Sequence, residues 1–130
     1  CLDAGIGSLP WSPLAGGYLT GKYRRGEKGR RTTMDFPPLD AGRGERILDA
    51  LEQIAASRGV TPAQAALAWT KTRPGVASVI VGARTREQLE SNLKACELAL
   101  TEEEILRLNE ASAVPVPYPQ WMIGFQSQDR

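Results

Sequence analysis

Apolar positions along the chain come in two kinds of run. Residues 6–11 (IGSLPW) and 76–81 (VASVIV) are short and carry no helical period. Both predict strands, and the β-branched second run predicts one covered on both faces. Elsewhere the period lengthens to that of a helix. Ile47, Leu51, Ile54 and Ala55 share one stripe, and Gly59 stands where a left-handed cap would close it. Thr61-Pro62-Ala63-Gln64 opens a second helix: Thr61 caps, Pro62 fits the first helical position without losing a bond, and Gln64 reaches back. Ala65, Leu67, Ala68 and Trp69 continue it until Arg73-Pro74-Gly75 breaks it. A capping box at Thr85-x-x-Gln88 opens a third, with Leu89 and Leu93 as its buried stripe. Another at Thr101-x-x-Glu104 opens a fourth, with Ile105, Leu106 and Leu108 to bury. There Glu102, Glu103 and Glu104 complement the helix dipole.

Three segments break this pattern. Residues 12–17 (SPLAGG) join a proline to two glycines, a tight turn after the first strand. Residues 20–44 hold no period and are rich in Gly, Pro and charge, a loop long enough to be functional or disordered. In 113–130, Pro115, Pro117 and Pro119 forbid regular structure, while Tyr118, Trp121, Met122, Ile123 and Phe125 predict packing against something. The order strand, helices, strand, helices implies parallel β/α units. Two parallel strands alone leave open edges, so the expectation is an α/β fold that is part of a larger β/α protein; a (β/α)8 barrel takes ~250 residues. Residues 1–112 are then the barrel portion and 113–130 a tail.

Composition narrows the chemistry more than the fold. The 130 residues are 42% apolar and 24% charged, an ordinary globular mixture. Sixteen Lys plus Arg against fifteen Asp plus Glu leave a net charge of +1, which favours neither nucleic acid nor an anionic membrane as partner. There is no histidine, which removes His-based acid or base chemistry, Ser-His-Asp and Cys-His nucleophiles and His-ligated metal from these residues. Cys1 and Cys96 are too few for a disulfide scaffold and suit a reducing compartment. With no apolar run long enough to span a membrane and no leader-like start, the expected location is cytoplasmic. The first residue is Cys rather than Met, so these residues can be the later part of something longer.

Both predicted strands lead into glycine-containing segments, 12–17 and 82–85. Each is either an ordinary β-to-α turn or a phosphate cradle. At the second, the free N–H groups opening a helix near Arg86 favour an anion, and Arg84 can add a bidentate charge. The basic run 22–31 holds Lys22, Arg24, Arg25, Lys28, Arg30 and Arg31 against Glu27 alone. It is a nucleic-acid arm or, as its lack of interleaved aromatics beyond Tyr23 favours, a solvated or cofactor-flanking loop. Lys22-Tyr23 does not suit a catalytic pair, since neighbours on an extended loop point apart.

Residues 5–23 (GIGSLPWSPLAGGYLTGKY), 79–92 (VIVGARTREQLESN) and Leu100-Thr101-Glu102 resemble, in order and spacing, the C-terminal half of an aldo-keto reductase. The resemblance covers nearly the whole chain and implies the seventh and eighth strands of a (β/α)8 barrel with their NADP-binding loops. Trp11 stands where the family sets an aromatic face against the nicotinamide; its alternative is core packing. Ser12, Pro13, Leu14 and Gly16 match the turn that wraps the pyrophosphate. Lys22 and Arg84 are the candidates for the 2′-phosphate that separates NADP from NAD, with solvated charge as their alternative. Gly82 opens the second loop, and Gln88 and Asn92, one helical turn apart, match residues that reach adenine or ribose. Gln88 can instead close its capping box. Ser91 replaces an acidic residue, and Gly82-Ala83 a lysine-serine pair, found in some branches.

The resemblance implies an NADP-dependent oxidoreductase that reduces an aldehyde or ketone with hydride from NADPH. The family's catalytic Asp, Tyr, Lys and His belong to its other half. This chain is expected to hold cofactor without turning over substrate, and to bind neither nucleic acid nor membrane. The alternatives are an NADPH-binding regulatory module like a potassium-channel β-subunit, and a truncated product without function.

Overall fold

Local capping chemistry decides where the helices begin in the computed structural model of the chain, which describes residues 1–116, 118, 119 and 122. Asp40 takes the Arg43 N–H and opens α2 (Ala41–Arg58). Thr61 and Gln64 exchange side-chain bonds with each other's N–H, at 3.2 and 2.9 Å, and open α3 (Pro62–Thr72). Thr101 and Glu104 do the same for the last helix, at 3.2 and 2.7 Å. Gly59 closes α2 in the left-handed region at φ 64°, its N–H donating to Ala55. A single turn, α1 (Arg30–Thr33), precedes these, and α4 (Arg86–Lys94) and α5 (Glu102–Ser112) complete the series. A 3-10 helix spans Ala15–Thr20.

The long loop expected over residues 20–44 is therefore broken by α1 and shortened by the first turn of α2. Gly42 and Gly44 disguise that turn in the sequence. Gly44 is buried because the Tyr18 ring and Leu39 press on it: a Cβ there would stand 2.6 Å from Leu39 Cδ2 and 2.9 Å from Tyr18 Cε1.

The core is a meeting of three helices. Leu51 and Ile54 from α2, Ala65 and Ala66 from α3 and Leu108 from α5 are buried together. Small residues on α3 let its backbone approach α2 closely. Leu14, Leu19, Trp69 and Leu100 pack against this cluster, so the inner wall of the 12–20 segment is fixed by burial. Trp69 Nε1 donates to Asn109 at 3.0 Å, tying α3 to α5.

The two predicted strands do not form among the described residues. A single parallel bridge joins Ser8 and Val76, made by Ser8 N–H to the Gly75 carbonyl (2.7 Å) and Ala77 N–H to the Ser8 carbonyl (2.9 Å). The next donor in that register would be residue 10, which is proline and has no N–H. The Pro10 carbonyl instead accepts from Ile80, at 3.1 Å. The expected burial on both faces is also absent: Ile6, Leu9, Ile80 and Val81 are exposed, because an isolated pair of extended segments has no flanking strands or helices to cover it. Leu89 and Leu93 on α4 and Leu106 on α5 are likewise exposed rather than buried; these faces turn away from the α2–α3–α5 core. No described helix is long and apolar enough to cross a membrane. Of the tail, Tyr118 is exposed, while Trp121, Ile123 and Phe125, expected to pack, lie outside the described residues.

Candidate functional site

The turn after the first extended segment takes left-handed backbone at Ser12 and again from Ala15 to Gly17. Ser12, Ala15, Gly16 and Gly17 have φ of 55°, 49°, 67° and 90°. Glycine takes this region freely, whereas Ser12 and Ala15 hold it at a cost. Ala15 N–H to the Ser12 carbonyl (2.9 Å), Gly17 N–H to the Leu14 carbonyl (2.9 Å) and Leu19 N–H to the same carbonyl (3.2 Å) close the turn. Leu14 is its half-buried foot, packed against the core. The N–H groups of Ser12 and Leu14 donate to no protein atom among the described residues. Trp11, 58% exposed, stands at the mouth of this turn with its ring 5.9 Å from that of Phe36, tilted by 47°. Phe36 was not singled out from the sequence; its signal is an aromatic residue held by Pro37 and Pro38 inside an otherwise polar loop.

The second loop lies wholly exposed. Gly82 has open space where a Cβ would be, so nothing in this fold presses on it. Arg84 is in no ion pair among the described residues, and its N–H donates to Gln88 Oε1 at 2.9 Å. Gln88 thus closes its loop one residue earlier than the expected Thr85, whose hydroxyl still takes the Gln88 N–H at 3.2 Å. The start of α4 also carries its own anion: Glu87 is held below the usual carboxylate range, first by its own N–H and then by the Thr85 hydroxyl. Asn92 is half-buried. The Ser91 carbonyl accepts from Gln64 Nε2 at 3.0 Å, which seats α4 on α3.

The Ser8–Val76 bridge is parallel, so the two loops leave from the same end of the pair. Trp11, Ser12, Pro13, Leu14 and Gly16 form one group there, and Gly82, Arg84 and Gln88 a second. Lys22 belongs to the first: its ammonium lies 5.1 Å from the Tyr23 ring centroid, against Gly17 and Gly29.

Three of the six cations of the basic run are pinned to carboxylates. Arg24 donates to Glu45, Asp49 (2.8 Å) and Glu52 (2.9 Å), three carboxylates on one face of α2. Arg25 pairs with Glu27 at 2.8 Å. Arg31, 11% exposed, pairs with Asp35 and donates to the Pro37 carbonyl at 2.6 Å. The Tyr18 hydroxyl donates to Glu45, and burial followed by that bond pushes the phenol up to about 12. Glu45 is held low by Tyr18 and then Arg24.

An exposed indole, and a turn with donors and a guanidinium that are unpartnered among the described residues, stand at one end of a parallel pair and suit a flat ring joined to an anionic nucleotide. Residues 1–113 match the model of the aldo/keto reductase family, and the chain belongs to that family. It is 42% identical over 117 residues to a Schizosaccharomyces pombe protein named "Putative voltage-gated potassium channel subunit beta", covering 82% of this chain and 34% of that one. It is 36% identical over 108 residues to an uncharacterized oxidoreductase of Bacillus subtilis, YrpG, covering 83% and 32%. It is 31% identical over 115 residues to the versiconal hemiacetal acetate reductase of Aspergillus parasiticus, covering 85% and 33%. The chain thus spans about a third of the length of these relatives.

Proposed function

We propose that the chain is the cofactor-side portion of an NADP-dependent aldo-keto reductase, the C-terminal part of a (β/α)8 barrel. The observation that carries this reading is the segment from Trp11 to Gly17, where an exposed ring runs directly into a left-handed turn whose Ser12 and Leu14 N–H groups have no partner among the described residues. Trp11 offers a flat apolar face for the nicotinamide. Ser12, Pro13, Leu14 and Gly16 wrap the pyrophosphate through backbone N–H groups and the serine hydroxyl. Arg84 takes the 2′-phosphate by its planar fork, with Lys22 as a second charge, and Gln88 and Asn92 meet the adenosine. Gly82 leaves that loop open to the ligand.

When bound, NADPH supplies the hydride that reduces an aldehyde or ketone to an alcohol. The residues here bind and orient; with no histidine among them, the proton donor and its tuning groups belong to the remainder of a longer parent. The isolated 130 residues therefore bind NADPH without oxidising it. Saturable quenching of tryptophan fluorescence by NADPH, weakened about tenfold or more in Arg84→Ala and weaker for NADH, is the expected result. A folded far-ultraviolet dichroism spectrum with no quenching would overturn the reading, as would carbonyl-dependent NADPH oxidation above blank.

The S. pombe relative's name favours a second reading, an NADPH-binding regulatory module. The two part on the parent protein: carbonyl turnover there supports the reductase, and binding without turnover supports the module.

A further inference from the structure

We propose that Tyr23 is a positioning residue that locks the 12–17 turn to the 21–37 strap, so that the two present one preformed surface to the nucleotide. The inference rests on the cofactor reading above. Its geometry is independent of any ligand. The Tyr23 hydroxyl donates to the Gly16 carbonyl at 3.1 Å and accepts the Arg31 N–H at 3.1 Å. One oxygen therefore joins the centre of the left-handed turn to the far limb of the strap.

Both sides close tightly on that ring and its neighbour. A Cβ at Gly29 would lie 2.7 Å from the Tyr23 hydroxyl and 2.6 Å from Lys22 Nζ, and one at Gly17 would lie 3.0 Å from Lys22 Nζ. Gly29 has extended backbone at φ −172°, so close approach rather than chirality demands glycine there. Beyond Arg31 the strap returns to the site: the Arg31 guanidinium takes the Pro37 carbonyl, and Phe36 lies beside the Trp11 ring. Turn, hydroxyl, strap and indole form a closed circuit. Without the hydroxyl, the Gly16 carbonyl and Arg31 N–H lose their shared partner, and the turn's strained Ser12 and Ala15 lose a brace.

Tyr23→Phe keeps the ring and removes only the oxygen. In the 130-residue chain, the expected result is an NADPH Kd raised about tenfold with a thermal midpoint close to that of the unaltered chain. Amide hydrogen exchange by NMR is expected to quicken at Gly17 and Leu19 in the turn as well as at Arg31. Tyr18→Phe, which removes a hydroxyl bound to Glu45 instead, is expected to leave the Kd unchanged. A merely stabilising role would lower the midpoint and leave the affinity of folded protein alone.

Unaltered affinity in Tyr23→Phe, with faster exchange confined to Arg31, would overturn the inference and leave the cofactor reading standing. Failure of the unaltered chain to bind NADPH would overturn both. Should Tyr23→Phe not fold, Gly29→Ala asks the same question by pushing the strap off the hydroxyl. The same loss of affinity is expected, and its absence would overturn the inference.

Discussion

Tyr18 and Glu45, with Arg24 paired to the carboxylate, are bonded groups that fail at opposite extremes of pH. The Tyr18 phenol, ordinarily near 10, is pushed to about 12 by burial and by its bond to Glu45. A folded value above the unfolded one stabilises fully below the unfolded value, and that contribution is lost as pH rises through the folded value. Glu45 has the opposite sign: its lowered carboxyl contributes above the ordinary carboxylate range and is lost as pH falls through the lowered value. Tyr18 is expected to ionise late in an ultraviolet phenolate titration. Tyr18→Phe should remove that late component. Two glycines in the first turn of α2 make a sharper pair. A Cβ at Gly44 would collide with Leu39 and Tyr18, while one at Gly42 would meet, among the described residues, only Asp40 Oδ1 at 3.7 Å and Arg46 Nη1 at 3.9 Å. Urea unfolding should therefore show Gly44→Ala destabilising by ~1–3 kcal/mol through overpacking. Gly42→Ala should stabilise by about 0.5 kcal/mol from reduced backbone entropy in the unfolded chain.

Helix starts were legible because a cap is chemistry among four neighbouring residues. Thr61-Pro62-Ala63-Gln64 and Thr101-x-x-Glu104 make the bonds that their spacing implies. The start of α2 was hidden because Gly42 and Gly44 lower helix propensity, and only Tyr18 and Leu39, distant or non-helical in sequence, show why the second glycine is there. Burial was less legible, since a stripe's periodicity tells which residues share a face and not what covers that face. Leu108 on α5 meets α2 and is buried, whereas Leu93 on α4 is exposed. Leu108→Ala should cost ~2–5 kcal/mol in denaturant unfolding, and Leu93→Ala within about 0.5 kcal/mol of nothing. A comparable loss at Leu93 would mean that α4 is covered in solution.

At the scale of the whole molecule, a strand depends on partners far along the chain, which is why the apolar pattern of residues 6–11 and 76–81 did not suffice for the predicted ladder. Pro10 ends the pairing from within, and missing neighbours leave its faces bare. The site was legible in part. The 12–17 turn takes the unusual backbone that a proline and two glycines foreshadow, while Phe36, Tyr23 and Gly29 join the site only through the return of the strap. The pinning of Arg24 to Glu45, Asp49 and Glu52, with Arg25 on Glu27 and Arg31 on Asp35, has a kinetic meaning. Six cations in ten residues look like a beacon that draws anions from a distance. Because three of the six between them face five carboxylates, most of that field cancels within a Debye length of ~8–10 Å. An approaching nucleotide meets a nearly neutral wall until it is close enough to feel single side chains, and its rate of encounter should depend on salt far more weakly than the basic run alone implies.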